Sequence, residues 1–447
     1  MDSRKPIVVI GGGFAGLAAA YEISKEGTPV VVLEKNNELG GLASSFEING
    51  KRIGKFYQHW FSSDRYVMEL IEELGCGGQL VSGRTKTGIY LNNKFYRLST
   101  PLDVLRFGPL GISDRIRLGT LVFKVKQVKD WKQLESLTAE RWLTGLCGET
   151  VYRTVWEPLL RGKFGPYASE ISAVWFWNKL KLRGGSRGRW GGEELFYYEG
   201  GFASLAQTIA DKIRSAGGVI KTGSKAEGIT VRNGRVEAVQ TPTEHIDAQA
   251  VIATPALPVI ADLVESHTGG GYAEELRKIR YVGNLCLVLE LSRRLSDFYW
   301  LNIGDPEFPF VGIIEHTNFQ PVESCGGRHI VYLSKYLSET DRMYQMTAQQ
   351  IFDFAMPYIE KMFAGFDRSQ VQHYHLWKAP YAQPIISCDY SRIMPSNHTP
   401  IKGFYLATMA QVYPEDRGTN YAVREGRRIA KMVIDGYRTI HLNGVSR

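Results

Sequence analysis

At 447 residues the chain exceeds what one hydrophobic core serves, so two interleaved domains are expected. Apolar residues at 44% and charged residues at 22% are the proportions of an ordinary folded protein and exclude a disordered or collagenous chain. A formal charge of +8 and a pI near 9.0 leave nucleic acid, an anionic membrane surface and a phosphorylated ligand open as partners.

Arg4 and Lys5, followed by an apolar run and three alanines, imitate a signal peptide. Gly11, Gly12, Gly13 and Gly16 interrupt that run, and no other uncharged stretch is long enough to span a bilayer, so neither secretion nor a transmembrane helix is expected. Residues 6–10, PIVVI, read instead as a parallel strand buried on both faces. Gly11-x-Gly13-x-x-Gly16 then supplies a tight turn, a close backbone approach to a pyrophosphate and a close helix-to-strand contact. A helix over 14–26 offers its N-terminal amides, at Phe14 and Ala15, and its positive dipole end to the phosphates. The second strand, TPVVVLE, ends on Glu34, followed by Lys35, about 20 residues past the glycines. A carboxylate there binds ribose hydroxyls and repels a 2′-phosphate, which disfavours NADP. Beyond it Gly40 and Gly41, with Leu42 and Ala43, form a second place where backbone can pass close to a ligand.

Strand, glycine turn, helix, strand, acid and glycine doublet together resemble the FAD proteins of the amine oxidase, protoporphyrinogen oxidase and phytoene desaturase superfamily. The resemblance implies an α/β fold, a Rossmann-like FAD-binding domain of the amine-oxidase type with an interleaved α+β substrate domain. Further pieces recur downstream. Residues 197–220 resemble the family's glycine pair, amphipathic helix and strand, with Leu205, Ile209 and Ile213 at helical spacing. The segment that follows reads as strand, Asn-Gly turn, strand, and the resemblance places adenine contact near Ala226 at its start. Residues 248–256, AQAVIATPA, read as the strand and turn that return to the dinucleotide, with Thr254 at the turn. Residues 403–434 match the closing strand and the helix facing the flavin pyrimidine, with Arg417, Gly418, Thr419 and Asn420 at its start. The FAD domain is thus expected over 1–75, 196–270 and 396–447, and the substrate domain over 76–195 and 271–395.

The chain departs from the pattern at Leu42, where the family often has Arg, and at Thr408 and Met409, where it often has Gly-Asp. Leu42 and the run FYQHWF also resemble UDP-galactopyranose mutase, which uses flavin without net redox change. No cysteine lies in the C-terminal match, so FAD is expected to be noncovalent.

In the substrate half the first insert is expected to be mainly helical, with Ile116, Leu118, Leu121, Val122 and Val125 forming one apolar stripe. Basic residues concentrate there (Arg106, Arg115, Arg117, Lys124, Lys126, Lys129, Lys132) and again at Lys179, Lys181, Arg183, Arg187 and Arg189. Either the first basic helix packs on its own core with a solvated face, or it meets a membrane or a lipid-linked substrate. No zinc-finger or RNA-binding pattern surrounds the charges, so nucleic acid is not expected. The second insert is rich in β runs that would form an antiparallel sheet walling the pocket. Glu315, His316 and Asn318 at a strand end are candidates for substrate contact, with a buried, satisfied histidine as the alternative. His59 is a candidate to approach the flavin, and Tyr413 is the aromatic placed beside the ring by the resemblance. Trp377 and Tyr381 are either pocket walls or core. His373 and His375 would share a strand face but lack a third ligand, so no metal is expected.

Five scattered cysteines without C-x-x-C spacing fit a reducing cytosol, with the protein peripheral to the inner membrane face if the basic helix engages lipid. The expected activity is hydride transfer from a small organic or lipid-linked substrate to flavin N5, with Arg417, Tyr413, His59 and His316 as catalytic candidates. The alternatives are a mutase-like reaction on a sugar nucleotide or lipid-linked sugar, and a nonenzymatic flavin-binding scaffold. The sequence assigns no oligomeric state.

Overall fold

The structure, a computed structural model, describes residues 5–98, 100–185, 193–269 and 271–444. Arg187 and Arg189 of the second basic stretch, and the side chain of Arg183, lie outside the described residues.

Five short apolar strands form a parallel sheet in the order Val219–Lys221, Val30–Leu33, Ile7–Ile10, Ala250–Ala253, Phe404–Leu406. The three central strands are buried at every position because both faces are covered. Ile7 and Val9 point toward helices Phe14–Lys25, Phe202–Ser215 and Thr419–Gly444. Val8 and Ile10 point toward a three-stranded antiparallel sheet, helix Leu257–Val264 and the helical insert. Strand order reverses beside Ile7–Ile10, so the crevice at the carboxyl ends of this strand and Ala250–Ala253 is the topological switch point, where open α/β sheets bind ligands.

A second, seven-stranded sheet runs in the order Val371–Pro384, Tyr281–Leu291, His329–Leu337, Gly312–Glu315, Trp300–Ile303, Thr87–Leu91, Lys94–Arg97. Residues of the strand Tyr281–Leu291 alternate. Leu285, Leu287, Leu289 and Leu291 pack against helix Ala348–Met362, while Cys286 and Val288 belong to a separate cluster on the other face. On that other face lie Asn284 beside Tyr336, Cys286 beside Ser334 and Trp377, and Val288 beside Tyr332. It is turned toward Phe46, Phe56 and Tyr57, which follow the first dinucleotide-binding segment.

The first insert is mainly helical with added strands, and its expected apolar stripe is corrected. It is helical over Ile112–Gln127, Ala139–Cys147, Glu157–Phe164 and Ala173–Gly185, but Leu80–Thr85, Thr87–Leu91 and Lys94–Arg97 are strands, two of which extend the seven-stranded sheet. The stripe on Ile112–Gln127 is narrower than expected: Leu118, Leu121 and Val125 are buried, Val122 is intermediate, and Ile116 is 56% exposed. At 100° per residue Ile116 lies nearly opposite Leu121 and Val125, so it cannot share their core.

Candidate functional site

The glycine turn sits at the switch point. Gly11 adopts a φ of +107°, a left-handed value that glycine alone takes readily, and a side chain there would collide with the Thr254 hydroxyl. That hydroxyl donates to the Ile10 carbonyl at 2.9 Å, tying the ends of the two central strands together. A Cβ on Gly16 would strike the Gly11 carbonyl, so the helix can start tight against the turn only with glycine here. Gly13 is the N-cap and offers no side chain; the first turn, which contains Phe14 and Ala15, holds no acid. Its opening amides therefore present an uncompensated positive end, the condition for holding a phosphate.

The second glycine pair closes over the first. Gly40 N–H donates to the Gly12 carbonyl at 2.9 Å, and Gly13 and Gly40 form an isolated parallel bridge. A Cβ on Gly41 would come within 3.3 Å of the Gly13 Cα. Leu42 is 37% exposed and Ala43 is buried. Glu34 is 6% exposed, and its carboxylate accepts Gly12 N–H at 2.8 Å, Asn36 N–H at 2.9 Å and the Asn36 side-chain amide at 2.8 Å. Three donors leave one of the roughly four acceptor positions of a carboxylate for a ligand hydroxyl. Ser224 N–H donates to the Glu34 carbonyl at 2.8 Å, and the buried Ser224 Oγ has no partner. Ala226 is half-buried two residues on, while Lys35 is exposed. A glycine cradle, an uncapped helix start, a held carboxylate and an orphaned hydroxyl beside it fit the pyrophosphate and ribose of a dinucleotide.

The closing helix, Thr419–Gly444, anchors a different part of the fold with the side chains expected to touch the cofactor. Thr419 Oγ1 accepts the Trp60 indole N–H at 2.7 Å, and Asn420 Oδ1 accepts Val67 N–H at 3.1 Å, serving the open N-terminal turn of helix Arg65–Glu73. What Gly418, Thr419 and Asn420 can offer a ligand is their backbone at the helix start. Gly426 was not singled out from sequence: a Cβ there would strike the Ala15 carbonyl, so this glycine sets how closely the closing helix approaches the phosphate-binding helix. Its signal was a glycine in the middle of a helical pattern.

The aromatic face of the seven-stranded sheet, which packs against Phe46, Phe56 and Tyr57 of the segment after the second glycine pair, carries unpartnered polar atoms. Asn284 Oδ1, Trp377 Nε1, Gln383 Oε1 and Arg417 Nε are all buried without a hydrogen-bond partner. Buried polar atoms are nearly always paired, so two acceptors and two donors in one region mark where a ligand would supply partners. The half-buried Tyr57 shares a 3.1 Å hydrogen bond with Ser334, which also accepts from Asn284 Nδ2 at 3.0 Å; burial pushes the Tyr57 phenol well above its usual range. Arg417 donates to the Tyr336 hydroxyl at 3.3 Å.

Beside Arg417, Asp416 is 5% exposed and collects three partners from distant segments: Lys179 at 2.5 Å, Lys163 at 3.6 Å and the Gln383 amide at 3.0 Å. Burial alone would raise this carboxyl, but Lys179, Lys163 and Arg417 override it and hold it well below the usual carboxylate range. Lys179 stands in a basic stretch and Arg417 at the closing helix in the sequence, but nothing there marks Asp416, Lys163 or Gln383 as their partners.

Glu315, Asn318 and His316 are corrected, and the other candidates have protein partners. Glu315 accepts Leu295 N–H, Ser296 N–H and the Ser296 hydroxyl, and Asn318 donates to the Ser296 and Phe298 carbonyls, so both are spent shaping the loop 295–298. His316 is 3% exposed, packed edge-on against Tyr197 and Tyr332, and burial lowers it to about 4; it is a neutral core histidine, unsuited to proton transfer at neutral pH. The Tyr413 hydroxyl donates to Glu135 at 3.1 Å, and its ring meets Trp131 edge-on, so it joins the helical insert to the loop before the closing helix. His59 Nδ1 shares a 2.9 Å hydrogen bond with the Tyr299 hydroxyl, and its ring lies edge-on to Phe61 and Trp300. Trp377 faces Phe46 and Lys55, and Tyr381 packs on Tyr281. His375 shares a 2.7 Å hydrogen bond with Glu290, and no group of three metal-ligating side chains occurs among the described residues.

A parallel sheet with a glycine turn and a held carboxylate at its switch point, joined to a mixed sheet with an unsatisfied polar lining, is the architecture of a two-part nucleotide-binding fold. The sequence model of the flavin containing amine oxidoreductases matches residues 14–434, and the chain belongs to that family, whose cofactor is a flavin. Phytoene dehydrogenase of Streptomyces griseus is 24% identical over 311 residues, 57% of this chain and 54% of that one. Pseudooxynicotine dehydrogenase of a Pseudomonas species is 37% identical over 76 residues, 15% of each chain. The chain thus spans about half the length of one of these curated relatives and much less of the other. Reduced UDP-galactopyranose mutase has a similar fold at a TM-score of 0.76 and 15% identity, covering 97% of this chain and 96% of that one.

Proposed function

We propose that this chain holds FAD noncovalently and oxidises a small organic or lipid-linked substrate by hydride transfer from a C–H bond. Bound FAD would supply the hydride acceptor. The turn at Gly11, Gly13 and Gly16 and the amides at Phe14 and Ala15 would hold the pyrophosphate, Glu34 a ribose, and the backbone at Gly41 and Ala226 the flanking groups. Arg417 and the start of the closing helix set a positive potential at their end of the site. Tyr57, Trp377 and Tyr336 exclude water, while Asn284, Gln383, Trp377 and Arg417 orient the substrate through their unpartnered atoms. That set of four orphaned atoms, in a chain that also holds a glycine turn with an uncapped helix start and a held carboxylate, is the observation that carries the reading. The test is anaerobic mixing of the yellow protein with panels of amines and of allylic or benzylic C–H donors. Bleaching by one class identifies the substrate; bleaching by none, in a protein that dithionite reduces normally, overturns oxidation as the activity.

A second reading has its own support. Lys163, Lys179 and Arg417 converge beside Asp416, a concentration of cations suited to a diphosphate, and the fold is similar to that of UDP-galactopyranose mutase. On this reading the protein isomerises a sugar nucleotide without net electron transfer. Turnover of such a substrate only after prior reduction would support it, and turnover by the oxidised protein would count against it.

A further inference from the structure

Ten large apolar side chains are more than a third exposed among the described residues, and five of them, Leu102, Leu105, Ile112, Ile116 and Phe123, fall within 22 residues. These are also the five most exposed, at 51%, 56%, 75%, 56% and 70%. Leu102 and Leu105 lie on the short helix Pro101–Leu105, and the others on helix Ile112–Gln127. On the longer helix, Ile112, Ile116 and Phe123, with Gly119 between, fall within a narrow sector at 100° per residue, on average roughly 160° from the buried Leu118, Leu121 and Val125. The helix is therefore apolar on two opposite faces, and only one is used by the core. Single exposed apolar residues need no explanation, whereas a contiguous set marks an interaction surface.

The surrounding charge selects the partner. Residues 101–133 hold seven basic side chains (Arg106, Arg115, Arg117, Lys124, Lys126, Lys129, Lys132) against three acidic ones (Asp103, Asp114, Asp130). All three acids are engaged locally: Asp103 in the capping box with Thr100, Asp114 with Arg117 at 3.0 Å, and Asp130 on the Lys132 amide. Lys126 borders the apolar stripe three residues past Phe123, and Lys124 and Lys129 line an open groove at the end of the helix. A second copy docking by two-fold symmetry would set this basic surface against itself. No described helix is long and apolar enough to cross a membrane. We infer that Leu102, Leu105, Ile112, Ile116 and Phe123 insert into one leaflet of an anionic phospholipid bilayer, with Lys126, Lys129 and Lys132 on its headgroups.

The inference stands independently of the reaction assigned above. It is tested by co-sedimentation of the flavin-loaded full chain with vesicles of phosphatidylcholine containing a third phosphatidylglycerol, and with vesicles of phosphatidylcholine alone. The wild type should sediment with the anionic vesicles and bind at least about tenfold less to the neutral ones. Ile116→Glu with Phe123→Glu changes only exposed positions; it should keep the wild-type melting temperature and lose about tenfold or more in vesicle binding. Lys126→Gln with Lys129→Gln should weaken binding to anionic vesicles about fivefold for each lysine removed. The inference is overturned if the wild type stays in the supernatant, if the double glutamate variant sediments like the wild type, or if that variant instead dissolves a lipid-independent dimer seen in sedimentation velocity.

Discussion

The Glu34 carboxylate accepts the Gly12 backbone N–H at 2.8 Å, so the acid that ends the second strand and the glycine turn are joined before any ligand arrives. Substitution at Glu34 consequently acts twice. Glu34→Gln places an amide N–H₂ where Gly12 or Asn36 already donates, leaving a buried donor unsatisfied at a cost of about 1–3 kcal/mol. FAD affinity should fall by roughly tenfold or more, and the ligand-free protein should melt at a lower temperature. Titration of the apoprotein by flavin fluorescence, with melting curves alongside, separates the two effects; a variant with unchanged affinity would remove Glu34 from the cofactor site.

Gly426 offers a sharper test of packing because two principles predict opposite signs. In an open helix, Gly to Ala stabilises by about 1 kcal/mol. Here the added methyl would meet the Ala15 carbonyl, so Gly426→Ala should destabilise by about 1–3 kcal/mol and weaken FAD by moving the phosphate-binding helix. A rise in melting temperature would show that the two helices are not in contact at this point.

Asp416→Asn leaves Lys163, Lys179 and Arg417 without their shared counter-charge. With Lys179 36% exposed, the expected loss is roughly 2–4 kcal/mol, at or below the full cost of breaking a buried pair. The carboxyl is held below its unfolded value, so its contribution is complete above about pH 4 and is lost only as pH falls through the lower folded value. The stability gap between wild type and Asp416→Asn, measured by urea unfolding, should therefore be constant from pH 7 to pH 5. A gap that closes over that range would contradict an ionised Asp416.

His316 titrates in the opposite sense. Burial lowers it to about 4 from an ordinary value of about 6.5, so folding favours the neutral ring; the stability this provides is full above about pH 6.5 and is lost as pH falls toward 4. Relative to His316→Gln, the wild type should lose roughly 3 kcal/mol between pH 7 and pH 4. The same variant should leave the pH dependence of turnover unchanged, since His316 is core. A displaced pH optimum would restore it as an acid–base candidate.

Much of the dinucleotide half was legible because its signals are local. The turn at Gly11, Gly13 and Gly16, the acid about twenty residues on and the continuously apolar runs on either side of the first helix are each fixed by neighbours within one supersecondary unit. The substrate half was less so. The Asp416 cluster joins residues 163, 179, 383 and 416, a convergence that no spacing encodes. Glu315 and Asn318 have the composition of a site, yet their hydrogen bonds go to the adjacent loop 295–298, and sequence does not say where a side chain's partners lie. The strands Thr87–Leu91 and Lys94–Arg97 form a hairpin inside the insert, and the partner that draws the first of them into the large sheet, Trp300–Ile303, lies about two hundred residues away. Ile116 fits an apolar stripe by type but faces outward, since the core selected the other side of its helix.

Arg417 ties the sheet face to the start of the closing helix through Tyr336. Removing it should lower the rate of flavin reduction by about tenfold to a hundredfold, with little change in FAD affinity. Stopped-flow reduction of Arg417→Ala under anaerobic conditions measures this directly, and an unchanged rate would exclude Arg417 from the chemistry.

The most direct measurement is the absorption spectrum of the purified protein, before and after acid precipitation. A noncovalent flavin gives bands at about 375 and 450 nm that pass into the supernatant on precipitation, which is the expected result. A colourless protein that gains no bands from added FAD would contradict it, and colour that stays with the precipitate would contradict noncovalent binding.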